Sequence, residues 1–201
     1  MRGRLLTVIV AGFLIGALGG ALALVLTRGP AAPVVATTGT ALIGGPFTLV
    51  GHDGKPVTDQ AFRGKFMLVF FGFTHCPDIC PAELQAMSAA LDELGPKAND
   101  IIPIFITLDP ERDTPQAVTD YVRNFGQRFV GLSGSSEQVV AAAKAYRVTY
   151  SKFQEKGAKP DDYTIDHSAL VYLMGKDGKF LTYFERGTPA AIMAATLKRY
   201  L

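Results

Sequence analysis

The chain has 201 residues, 48% of them apolar and 19% charged, which is enough to bury a core without a disulfide scaffold. Its net charge of +2 is accounted for by Arg2 and Arg4, so the balanced remainder excludes a protein built to hold nucleic-acid phosphates. Two cysteines cannot staple a chain this long, so they point to chemistry and not to a framework. Residues 5–26 carry no charge. A helix rises about 1.5 Å per residue, so a run of this length crosses a hydrocarbon core of about 30 Å. Arg2 and Arg4 precede it and favour a cytoplasmic N-terminus, with the rest of the chain outside the plasma (inner) membrane. A cleaved signal peptide is the competing reading. The run is long for one, and Thr27-Arg28-Gly29-Pro30 is a poor cleavage site. The expected organisation is a single-pass anchor over 1–28, a Pro/Ala/Gly/Thr linker over 29–44 and one domain over 45–201.

Within the domain, Asp53-Gly54 sits between two short β-type segments, 47–50 and 55–58, and predicts a hairpin. The run Lys65-Phe-Met-Leu-Val-Phe-Phe-Gly-Phe73 has the pattern of a strand buried on both faces. Pro81 suits the first turn of a helix in which Leu84, Met87, Leu91 and Leu94 recur at helical spacing, and Gly95-Pro96 stops it. A second buried strand is expected over 101–107. Thr114-Pro115 opens a helix bearing Val118, Tyr121, Val122 and Phe125. A short strand over 129–132 precedes a helix capped by Ser135 or Ser136. A strand over 148–153, a polar loop over 154–161, a hairpin of 168–174 with 179–184, and a helix opened by Thr188-Pro189 complete the pattern. Strands alternating with helices predict a mixed α/β sheet.

The chemistry concentrates at Phe71-Gly-Phe-Thr-His-Cys76-Pro-Asp-Ile-Cys80-Pro81. A reactive loop after a buried strand and before a helix is the thioredoxin arrangement, in which the helix N-terminus stabilises thiolate. Cys80, directly before Pro81, is expected to be the more acidic thiol. Three intervening residues bring both sulfurs within reach of one ion and still permit a disulfide. His167, in Asp162-Tyr-Thr-Ile-Asp-His167-Ser, offers a third donor. Two thiolates and an imidazole suit copper, whereas two thiolates alone suit disulfide exchange. His75 is expected to point away from the metal, and His52 to be solvated at the hairpin turn. Asp109 follows the second buried strand. It could orient His167 or dock a partner, or join a capping network with Arg112, Asp113 and Thr114. Asp78, between the cysteines, is expected to face solvent and could touch a client. Met67, Met87, Met174 and Met193 fall in core-type segments.

These segments resemble the Sco/SenC proteins, thioredoxin-like copper chaperones of cytochrome c oxidase assembly. The loop around Cys76 and Cys80 looks like their copper motif, Thr107-Leu-Asp-Pro-Glu-Arg-Asp-Thr-Pro115 is similar to their second signature, and 162–168 resembles their histidine segment. The likeness runs from about Gly45 to the C-terminus. It implies a thioredoxin-like mixed sheet flanked by helices behind an N-terminal membrane helix. By the same resemblance Cys76, Cys80 and His167 are ligands for cuprous or cupric copper, and the client is the copper A centre of oxidase subunit II. Other copper or thiol carriers are possible partners. The residues leave three readings open: a copper metallochaperone, a thiol-disulfide oxidoreductase that keeps the oxidase cysteines reduced, and a redox or copper sensor.

Overall fold

The structure is a computed structural model and describes residues 42–159 and 161–201. The expected anchor, and the linker as far as residue 41, lie outside the described residues. Among the described residues no helix is long and apolar enough to cross a membrane. The described residues form one compact unit.

The order of elements follows the apolar runs. The Asp53-Gly54 turn joins β1 (Thr48–Val50) to an antiparallel β2 (Pro56–Thr58). All residues of β3 (Phe66–Gly72) are buried, as expected for a strand covered on both faces. Helix α1 (Ile79–Leu94) follows, burying Cys80, Leu84, Met87, Leu91 and Leu94 along one stripe. Gly95 ends it at φ 58°, a conformation glycine reaches without steric cost. Strand β4 (Ile101–Thr107) lies parallel to β3 in register from Phe66↔Ile101 to Gly72↔Thr107. Helix α2 (Pro115–Arg123) carries Pro115 at its start and is capped by the Thr114 side chain, which accepts from the Ala117 amide. Strand β5 (Val130–Leu132) is parallel to β4. Helix α3 (Ser136–Ala145) is closed at its N-terminus by a Ser135/Gln138 capping box.

The segment after α3 departs from expectation. Arg147 takes a positive φ of 55° just past the helix, so β6 (Tyr150–Phe153) begins two residues later than the composition suggests. It pairs antiparallel with β7 (Thr164–His167), a strand the sequence reading leaves in an undivided segment, with Tyr150 opposite His167. Strand β8 (Val171–Met174) then pairs antiparallel with β3, and β9 (Phe180–Phe184) pairs antiparallel with β8, giving a five-stranded sheet of order β5-β4-β3-β8-β9. Helix α4 (Ala190–Leu197) closes the chain and packs on α1. The mixed α/β sheet is therefore present, with β3 at its centre.

The core is aromatic. Phe71, Tyr146 and Tyr172 meet at ring-centroid separations of 5.2 to 6.4 Å, and Phe70 packs near Phe105. Met67, Met87, Met174 and Met193 are all buried, which fits packing. Truncating a buried phenylalanine of β3 to alanine would cost about 3–5 kcal/mol. That rigid floor fixes where the next residues emerge.

Candidate metal centre

The C-terminal ends of the parallel strands β3 and β4 open on one rim, where loops of an α/β sheet carry function. The Leu108 amide donates to the Gly72 carbonyl at 2.7 Å, holding the two strand ends together as they leave the sheet. Gly72 is required there for space. A Cβ at this position would lie 2.7 Å from Cys80 Sγ and 2.9 Å from Phe105. The thiol of Cys80 therefore rests directly on the strand backbone.

Cys76 and Cys80 exchange the roles expected of them. Helix α1 starts at Ile79, so Cys80 and Pro81 both lie inside its first turn, and Cys80 is fully buried. Proline is tolerated at this depth because first-turn amides lack intrahelical partners. Asp78 occupies the cap position without a side-chain cap bond. The capping acceptor is Cys76 Sγ, which takes the Cys80 amide at 3.3 Å. The Cys80 thiol beside it, with the surrounding backbone amides, holds the Cys76 thiol down at about 5. The same neighbouring sulfur and deep burial push the Cys80 thiol up. Cys76 is the acidic thiol, which corrects the assignment made from the position of Pro81. Both cysteines are free.

His167 ends β7 with its Nε2 3.7 Å from Cys80 Sγ. Its Nδ1 lies 3.3 Å from the Ser168 carbonyl, an acceptor, so that contact puts the proton on Nδ1 and leaves the Nε2 lone pair facing the thiol. Burial lowers the His167 pKa and keeps the imidazole neutral. Phe70 and Phe73 stand edge-on to the ring at 6.0 and 6.1 Å between centroids. A sulfur and an imidazole nitrogen on one ion, with bonds of about 2.3 and 2.0 Å, stand about 3.5–3.8 Å apart. The observed spacing is thus one that a single soft ion can bridge. Among the described residues, no three His, Cys, Asp or Glu side chains are gathered as a metal-ligand set.

The shell around these residues includes Asp113 and Asp109, both named from the sequence, and Glu83, which was not. Asp113 is fully buried and accepts from the Thr74 amide at 2.9 Å, the Thr74 hydroxyl and the Thr107 hydroxyl at 2.6 Å. It pins the turn two residues before Cys76 to the end of β4. Asp109 is also buried, but its carboxylate is taken up by Arg112 and by the Tyr163 hydroxyl at 2.8 Å and does not contact His167. Arg112 in turn donates to the Tyr163 carbonyl at 3.2 Å and stacks on its ring, so Asp109 acts on the base of β7, four residues before His167. Glu83, one turn beyond Cys80, is buried, accepts the Gly187 amide at 2.6 Å, and has its carboxyl pushed up by burial. Asp78 and His52 are exposed, as expected. His75 is exposed beside Cys76, its Nδ1 3.1 Å from the Thr74 hydroxyl. The local network expected around Asp113 does not reveal its bonds to Thr74, 39 residues away, and nothing local marks Glu83, whose partner Gly187 is 104 residues away.

A family model described as SCO1/SenC matches residues 35–201. Protein sco1 of Schizosaccharomyces pombe is 45% identical over 168 residues, covering 83% of this chain and 64% of its own length. The human protein named SCO1 homolog, mitochondrial, is 44% identical over 168 residues, covering 81% of this chain and 55% of its own. The chain thus spans a little over half to just under two thirds of these relatives. A solved structure of Bradyrhizobium japonicum ScoI with copper bound superposes with a TM-score of 0.72 at 45% identity, covering 79% of this chain and 99% of that one.

Proposed function

Because the chain belongs to the SCO1/SenC family, we propose that it is a membrane-anchored copper carrier in which Cys76, Cys80 and His167 hold copper as cargo. The observation that carries this reading is the 3.7 Å approach of His167 Nε2 to Cys80 Sγ, with the Cys76 thiolate alongside in the same loop. Two soft thiolates and a neutral imidazole match cuprous copper and tolerate cupric copper. The copper in the similar Bradyrhizobium structure supports the choice of metal. Three protein donors leave room for an incoming sulfur or nitrogen from an acceptor, as a delivery site needs. The acceptor is the copper A centre of cytochrome c oxidase subunit II, as the family resemblance implies. The anchor is the charge-free run over 5–26, with the domain on the outer side of the plasma (inner) membrane.

The division of labour follows from the two thiols. Cys76 is ionised at neutral pH and meets the ion first. Cys80 gives up its proton as the metal replaces it, and the neutral imidazole closes the set without a proton to lose. Thiol-disulfide exchange uses the same pair without His167, and it is the second reading. The full chain in detergent, reduced and titrated with copper, should take up one ion with a thiolate charge-transfer band in the cupric form. Cys76→Ser and Cys80→Ser should each abolish that band. A wild-type chain that binds no copper under these conditions would end the carrier reading.

A further inference from the structure

A groove of about 420 Å³ opens beside the Cys76 loop. His75 and Pro77, the residues flanking Cys76, line it together with Phe153 and Ala158, which supply apolar surface, and with Tyr163, whose ring faces are covered by Arg112 and Lys152. Phe153 is 53% exposed although it is a large aromatic on β6. The Tyr163 ring is fixed: Lys152 Nζ lies 3.5 Å and the Arg112 guanidinium 3.6 Å from its centroid, and its hydroxyl is held by Asp109. The rim is acidic. Glu155 and Asp162 line it, and among the described residues neither carboxylate has an ion pair or a hydrogen-bond donor. Lys152, whose ammonium lies over the Tyr163 ring, is paired with Glu111 at 3.1 Å, and neither Lys156 nor Lys159 lines the groove.

Apolar surface with an unpaired acidic rim, adjoining the residue that exchanges ligands, has the character of a recognition surface. We infer that this groove docks a segment of the polypeptide that receives the cargo, a segment presenting an apolar side chain next to lysine or arginine. The inference rests on the carrier reading for the identity of that polypeptide, while the groove's preference stands on its own charge and shape. The free carboxylates disfavour nucleic acid and anionic lipid as occupants. Seating the segment against Pro77 would bring its donor atoms beside Cys76.

The test uses the full chain in detergent micelles, without copper, and a fluorescein-labelled peptide with a central photoreactive leucine flanked by two lysines on each side. Anisotropy should report saturable binding that weakens as salt is raised. The photo-adduct should map to Phe153, Ala158 or Tyr163. Glu155→Lys with Asp162→Lys should weaken binding at least tenfold, Phe153→Ser should weaken it several-fold, and the same peptide with glutamates should not bind. Copper uptake by these variants, measured on the same samples, should equal wild type because none touches the ligand residues. Equal binding of the glutamate peptide, adducts elsewhere on the chain, adducts between two copies of the protein, or indifference to the charge reversal would each overturn the docking site. Loss of copper uptake by the wild-type chain would instead overturn the carrier reading and leave the peptide result standing.

Discussion

Alkylation of the reduced chain distinguishes the two thiols. Cys76 accepts helix-end amides, and its pKa is lowered to about 5, so its reaction rate should climb as pH rises through that value and level off well below neutrality. Cys80 is buried and its ionisation is opposed, so it should stay unmodified until the chain unfolds. Mass mapping of the first adduct against pH checks this. Equal labelling of both sites with an inflection near the free-thiol value of about 8.5 would contradict it. The buried Asp113 carboxylate deserves a variant of its own, since it satisfies three donors around the turn before Cys76. Asp113→Asn keeps the volume but replaces an acceptor oxygen with a donor, facing groups that already donate. We expect a loss of about 1.5–3 kcal/mol in denaturant unfolding and weaker copper binding at unchanged stoichiometry.

Among the elements, the β3-to-α1 connection is tightest at Gly72. A methyl added there would meet Cys80 Sγ at 2.7 Å and Phe105 at 2.9 Å, one a ligand candidate and the other core. Gly72→Ala should cost about 1–3 kcal/mol through overpacking and should raise the reactivity of Cys80 as the thiol is pushed off the strand. An unchanged melting temperature with a still-protected Cys80 would show that the strand end yields. Strands β3 and β4, the first hairpin and the caps of α2 and α3 were legible in the sequence because each rests on a local signal: an apolar run, a turn pair, a Thr-Pro or a capping box. Strand β7 was not, since Thr-Ile-Asp-His is four residues with one apolar side chain and forms only because β6 pairs with it. Pro81 falls in the first turn of α1 as expected, but the helix starts at Ile79, so Cys80 lies inside that turn and not at its cap, proline being tolerated wherever first-turn amides lack partners. That small shift reverses which cysteine caps the helix. The anchoring of β7 through Asp109, Arg112 and Tyr163 joins positions some fifty residues apart, and no local pattern announces it.

At the scale of the whole molecule, the topology proposed from the charge-free run over 5–26 puts the domain outside the plasma (inner) membrane. Protease added to intact spheroplasts should therefore digest the domain. Protection until the membrane is breached would reverse the orientation inferred from Arg2 and Arg4. In the proposed copper site the two thiols are completed by an imidazole that β7 brings from 87 residues along the chain from Cys80. His167→Ala tests it most directly, because it removes that donor while leaving the cysteine loop, its amides and Asp113 in place. A competitive copper titration of the full chain, run beside a disulfide-reduction assay on an oxidised peptide, separates the two chemistries. The account predicts that His167→Ala loses copper affinity by at least tenfold while its thiols still reduce the peptide. Copper binding as tight as wild type in His167→Ala would contradict it and leave the thiol-disulfide oxidoreductase in its place.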